Sequence, residues 1–156
     1  MPLSILEHLR KHIDGTLAPG QSSRMAYPPP IATTLGFRLV AIEEGGSTLE
    51  MRTDPSRHGN PMGTIHGGVL CDLADAAIGT AHAVALKDDE SFTSVDLRIN
   101  FFRPVWEATI TATAKAVHRG RTTSYYECAI TREDGKLIAV VTSTVMTLRG
   151  EQSAGR

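Results

Sequence analysis

The chain has 156 residues, 41% hydrophobic and 21% charged, with a formal net charge of −1. A chain of that size and balance can form one domain around one core, which excludes a disordered protein. A charge so close to zero supplies no general field for a nucleic-acid backbone or an anionic membrane, so neither partner is expected.

The first residues read as a short amphipathic helix. Ser4 with Glu7 three positions later is a capping-box pattern, Leu6, Leu9 and Ile13 recur at helical spacing, and Gly15 ends the run. Residues 18–30 hold Pro19, Gly20 and the run Pro28, Pro29, Pro30, which disfavours helix and interior strand and predicts a linker. Residues 1–34 are therefore set apart as an N-terminal helix and Pro-rich linker. Residues 35–43 and 47–52 are compatible with two strands joined by a turn at Gly45 and Gly46.

From His66 to about Leu86, apolar and small residues occupy nearly every side of a helical wheel, as a helix inside the fold would require. Three strand-like runs follow, at 92–102, at 108–117 and at 124–146, the last folded at Glu133, Asp134 and Gly135. A sheet that must cover one such helix can wrap round it, an α+β arrangement for a domain spanning 35–149. Residues 150–156 carry no pattern and predict a disordered tail.

Cys71 and Cys128 are isolated and lack CxxC spacing, so no zinc site or disulfide framework is expected, and a reducing compartment, the cytoplasm, is the default. The start has no apolar run of signal-peptide length, and nothing approaches the roughly 20 apolar residues of a membrane span.

Chemistry-bearing residues are densest between Asn60 and Asp75, where a Pro/Gly-rich loop leads into the long helix. Gly67 and Gly68 stand at its start, among the first-turn N–H groups that have no intrahelical acceptor. Such an end can hold a developing oxyanion, or the glycines can serve close packing alone. Asp75 is a carboxylate in a mostly apolar helix, which calls for an ion pair, a solvent-facing position or a chemical role. His66 is either a cap or a reactive group. A Cys71/His nucleophile pair and a metal site from His58, His66, His82 and Asp75 are disfavoured, the first by an apolar setting and the second by spacing.

This stretch resembles the active-site segment of hotdog-fold acyl-CoA thioesterases, in the PaaI-like (phenylacetate-pathway) branch. Asn60, the His66-Gly67-Gly68 run and Asp75 match that branch in type and spacing, and Ser94-Val95-Asp96 matches its next strand. The turns RGRTTSYYECAI and EDGKLIA match as well, so the resemblance covers residues 35–148. It implies a hotdog fold and hydrolysis of an aromatic or medium-chain acyl-CoA, with no cofactor beyond the CoA of the substrate. Asp75 would be general base or nucleophile, the Gly67 N–H the oxyanion donor, and Ser94 an orienting hydroxyl. Asn60 would bond near the thioester, and His66 would brace the loop or assist the leaving sulfur. Gly68, Arg103, Arg119 and Arg121 would bind substrate, the arginines flanking Gly120 being placed for phosphate or else plain surface charge. The resemblance also implies a homodimer with composite sites, paired into a dimer of dimers. A hotdog enoyl-CoA hydratase or dehydratase and a non-catalytic acyl-CoA binder are the alternatives.

Overall fold

The computed structural model describes residues 2–155. Helix α1 (Ile5–Ile13) starts where the capping pattern places it, the Ser4 hydroxyl accepting the Glu7 N–H at 3.2 Å. Its buried face, Ile5, His8 and Leu9, packs against strand β1 (Phe37–Glu43), and Leu9 is 0% exposed in the same core as the rest of the chain. Removing a side chain buried to that degree typically costs about 2–5 kcal/mol. Helix α1 is thus a structural part of the domain.

A second short helix, α2 (Pro30–Leu35), begins at the last proline of the expected linker. Proline suits the first helical position, where its missing N–H would have had no acceptor, and Gly36 at φ 82° closes the helix in the left-handed region.

Strand β1 pairs antiparallel with β2 (Gly46–Arg52), and after a one-turn helix, α3 (Pro55–His58), and a loop comes the long helix α4 (Gly67–Ala83). Then follow β3 (Ser91–Ser94), β4 (Arg98–Phe101), β5 (Thr109–Arg119), β6 (Thr123–Arg132) and β7 (Leu137–Leu148). The sheet order is β1-β2-β5-β6-β7-β3, with β4 also on β7, every pairing antiparallel. This is the α+β arrangement expected, with α4 lying against β1, β2, β5, β6, β7 and β3.

One face of α4 makes the core: Leu70, Leu73, Ala74, Ala77, Ile78 and Ala81 recur at 3- and 4-residue spacing and are nearly inaccessible. Ala112 and Ala114 on β5 present little bulk to the helix, and the buried Ser47 hydroxyl on β2 donates to the Ala77 carbonyl at 2.6 Å. The opposite face, with Asp72, Asp75, Ala76, Gly79 and Thr80, remains accessible, so α4 is not enclosed all round within one chain.

The single strand expected over 92–102 is interrupted. Ser94 pairs with Val145 and Arg98 with Thr142, so three residues on one side span two on the other. Asp96 fills the gap: its carboxylate accepts the Thr144 N–H at 2.7 Å, and its carbonyl accepts the Ser143 hydroxyl at 2.7 Å. The C-terminal residues, expected to lack structure, form a 3-10 turn (Gly150–Ser153), and the Ser153 hydroxyl donates to the Asp89 carbonyl at 3.1 Å.

Candidate active site

The loop before α4 is closed by its own side chains. The Asn60 carboxamide oxygen accepts the Met62 and Thr64 N–H groups at 2.9 and 3.2 Å, and its nitrogen donates to the Thr64 hydroxyl at 2.8 Å. An antiparallel bridge between Gly59 and Ile65 ties the loop's base. At the helix start, His66 Nδ1 accepts the Gly68 N–H at 3.0 Å. The Asn60 side chain thus braces the loop, and His66 caps the helix. The cap also occupies the Gly68 N–H that the sequence reading assigned to substrate.

The Gly67 N–H has no acceptor among the described residues. A β-carbon at Gly67 would lie 2.8 Å from Cζ of Phe101, so the half-exposed ring packs against the glycine and would have to shift for any side chain there. Both readings of this glycine, close packing and an available N–H, hold together. Gly67 opens into a cleft of about 450 Å³ with Asn60, Thr64, Phe101 and Arg103. The Arg103 guanidinium is directed to the Leu137 carbonyl at 2.8 Å.

Asp75 lies two turns further along α4, in a different cleft. It is exposed, and the Ser94 hydroxyl donates to its Oδ1 at 3.2 Å across the gap between α4 and β3. The pair faces a cleft of about 340 Å³ whose other walls are mainly apolar, among them Phe37, Ala76 and Phe92. A hydroxyl oriented this way keeps one carboxylate oxygen bonded and leaves the other facing open space for water or an acyl carbon.

A third cleft, of about 410 Å³, lies at the far end of α4 and is bordered by Lys87, Arg119, Arg121 and Arg149, with Glu90 among them. Glu90 is paired with Arg149 at 2.8 Å, and its carboxyl is held below the usual range chiefly by the Lys87 N–H it accepts. Among the described residues, Lys87, Arg119 and Arg121 have no carboxylate partner in that cleft, a setting suited to anionic oxygens.

The thioesterase superfamily model matches residues 62–139, which begin just before α4 and end in β7. The chain is 30% identical to the 1,4-dihydroxy-2-naphthoyl-CoA hydrolase of Listeria monocytogenes over 72% of this chain and 90% of that one. The chain belongs to the thioesterase superfamily. It is likewise 32% identical to the acyl-coenzyme A thioesterase PaaI of Escherichia coli, over 70% of this chain and 76% of that one. The solved structure of E. coli PaaI superposes with a TM-score of 0.76 over 94% of this chain and 98% of the other, at 24% identity, which speaks to the hotdog fold. The chain is accordingly a PaaI-like thioester hydrolase.

Within this thioesterase seven of the nine expected site residues fall into three groups, Asn60, Gly67 and Arg103 in the first cleft, Asp75 and Ser94 in the second, Arg119 and Arg121 in the third, while His66 and Gly68 are joined in the helix cap. Sequence reading did not single out Asp72, which shares the Asp75 cleft, although a position three residues away lies on the same helical face. It also passed over Lys87 and Arg149, which only the fold carries to Arg119 and Arg121.

The rival nucleophile fares poorly. Burial, then the charges of Asp72 and Asp75, raise the Cys71 pKa, and burial pushes Cys128 up to about 12, so neither thiol is activated. Among the described residues no three His, Cys, Asp or Glu side chains converge as metal ligands would, and no helix is long and apolar enough to cross a membrane.

Proposed function

We propose that this thioesterase hydrolyses aromatic or medium-chain acyl-CoA thioesters at composite sites, each combining the Gly67 end of one chain's α4 with the Asp75–Ser94 pair of a second copy. The observation that carries this reading is the separation of Gly67 and Asp75 into two clefts of one chain.

At about 1.5 Å per residue, positions 67 and 75 lie roughly 12 Å apart along the helix axis. A base must approach its water to about 3 Å, and that water must reach the carbonyl held by the oxyanion donor. Two antiparallel copies related by a two-fold axis bring each Asp75 to the partner's helix start and generate two equivalent sites.

The exposed edge supports such pairing. β3 and β4 have no further strand partner among the described residues, and Val95, Phe101 and Phe102 beside that edge are each more than half exposed. An edge bearing large apolar side chains is a surface that a partner covers. A second pairing of such dimers, in the cytoplasm, completes the reading.

In the reaction, the Gly67 N–H at the positive end of α4 polarises the thioester carbonyl. Asp75 either removes a proton from water as it attacks the carbonyl carbon, or attacks that carbon itself to form an anhydride that water then opens. On either route the C–S bond breaks, the electron pair leaves on sulfur, and the thiolate takes up a proton. Ser94 orients the carboxylate, and Arg119 and Arg121 hold CoA phosphates.

A panel of aromatic and aliphatic acyl-CoAs followed by thiol release tests this function. We expect release well above background for aromatic or medium-chain members. Background rates throughout, or hydration of enoyl-CoA without thiol release, would end the hydrolase reading.

A further inference from the structure

We propose that residues 25–31, the end of the strap that follows α1 together with the first turn of α2, form the specificity wall of the acyl pocket and select the size and charge of the acyl group. The inference rests on the thioesterase reading above and adds what that site selects.

The strap crosses the accessible face of α4. Met25, Tyr27, Pro29 and Ile31 stand opposite Asp75 and Gly79 and close the cleft that carries Asp75 and Ser94. A thioester carbonyl at Asp75 would direct its acyl group along α4 toward Thr80, about 7.5 Å further at helical rise. The volume of about 340 Å³ lies at the low end for small-molecule pockets, suiting an acyl group rather than a whole CoA thioester.

The wall is anchored. His8 of α1 bonds the Ser23 hydroxyl at 2.7 Å, and that hydroxyl donates to the Met25 carbonyl at 3.1 Å. Arg24 donates to the Glu90 carbonyl at 2.6 Å, and the Tyr27 ring meets His12 edge-to-face at 5.0 Å between centroids. Helix α1, itself seated in the core, thereby fixes the strap's distance from α4. Anchored bulk excludes oversized acyl groups, where a loose segment would adapt to them.

The chemistry of the walls selects charge as well. Among the described residues of one chain, the charged side chains lining the cleft are Asp72 and Asp75. A carboxylate-bearing acyl group would meet two like charges on this chain's α4, whereas an uncharged aromatic or aliphatic group meets Tyr27, Phe92 and Met25. The wall precedes residue 62, where the match to the superfamily model begins.

The test is a matrix of acyl-CoAs, from butyryl to dodecanoyl with benzoyl, naphthoyl and succinyl, against wild type, Ile31→Ala, Ile31→Trp and Met25→Ala. Ile31 is exposed, so its variants fold even if Met25→Ala does not. We expect the ratio of kcat/KM for bulky over small acyl groups to rise about tenfold in the alanine variants and fall about tenfold in Ile31→Trp, the scale of a methylene-sized change in a specificity pocket. Succinyl-CoA should trail butyryl-CoA in wild type. Affinities of non-hydrolysable thioether analogues on the same proteins separate the two ideas: binding ratios that move while wild type releases no thiol uphold the wall and sink the hydrolase. Ratios that stay parallel to wild type in the folded Ile31 variants, in turnover and binding alike, would overturn the wall.

Discussion

Gly67 and Asp75 occupy one helix yet open into different clefts, the first beneath the Phe101 ring and the second beside the Ser94 hydroxyl. On the proposed composite site, each chain would contribute a different half to each of two sites.

Asp75→Asn keeps the shape of the side chain and removes its basic oxygen. Because Asp75 is exposed, the change should leave the thermal unfolding temperature close to wild type while kcat falls by about 10² to 10⁴, the usual worth of a general base. Ser94→Ala, which leaves the carboxylate in place, should lose less, since water can replace an orienting hydroxyl. Steady-state kinetics on both folded proteins checks the order.

The basic cleft predicts a split between substrates. Arg121→Ala should raise KM for CoA thioesters more than for a short thioester without the nucleotide, because only the former carries phosphates to Lys87, Arg119 and Arg121. Equal effects on both substrates would return Arg121 to plain surface charge.

His82 predicts a pH dependence of stability. Its Nδ1 and Nε2 are bonded to the Tyr126 hydroxyl at 3.1 Å and the Thr147 hydroxyl at 3.0 Å. Burial, then the nearby Arg119 charge, push its pKa down to about 4, with Glu90 opposing. The unfolded chain takes up this proton near pH 6.5, whereas the folded chain does so only near 4, so the unfolded state binds more protons between those values. The contribution is full above about 6.5 and is lost as pH falls toward 4. Urea unfolding across that window should show declining stability for wild type and a shallower decline for His82→Gln.

Local signals in the sequence carried much of the fold. The Ser4–Glu7 cap, the long helix and the turns at Gly45–Gly46 and at Glu133–Gly135 depend on neighbours in the chain and read correctly. The bulge at Asp96 did not, because its carboxylate substitutes for a strand partner on Thr144, 48 residues away. The helix beginning at Pro30 was hidden by a proline run that reads as linker until the first-turn exception is applied. At the site, residue types and spacing pointed to Asp75 and Gly67, but a helical wheel apolar nearly all round conceals that the Asp72–Asp75–Gly79 face lies open in one chain. The closure of the loop by the Asn60 side chain was equally out of reach, since it depends on where the Thr64 hydroxyl comes to rest.

The composite site is tested most directly by complementation. Asp75→Asn chains and Asn60→Ala chains, each inactive alone, are unfolded together, refolded at equal concentration and assayed for thiol release, with mixed dimers counted by native mass spectrometry. With each site drawn from both chains, a mixed dimer holds one site with both lesions and one with neither, so random pairing should restore about a quarter of wild-type turnover. Mixed dimers that form in the expected proportion and recover no activity would contradict the account, as would a stable monomer with full activity.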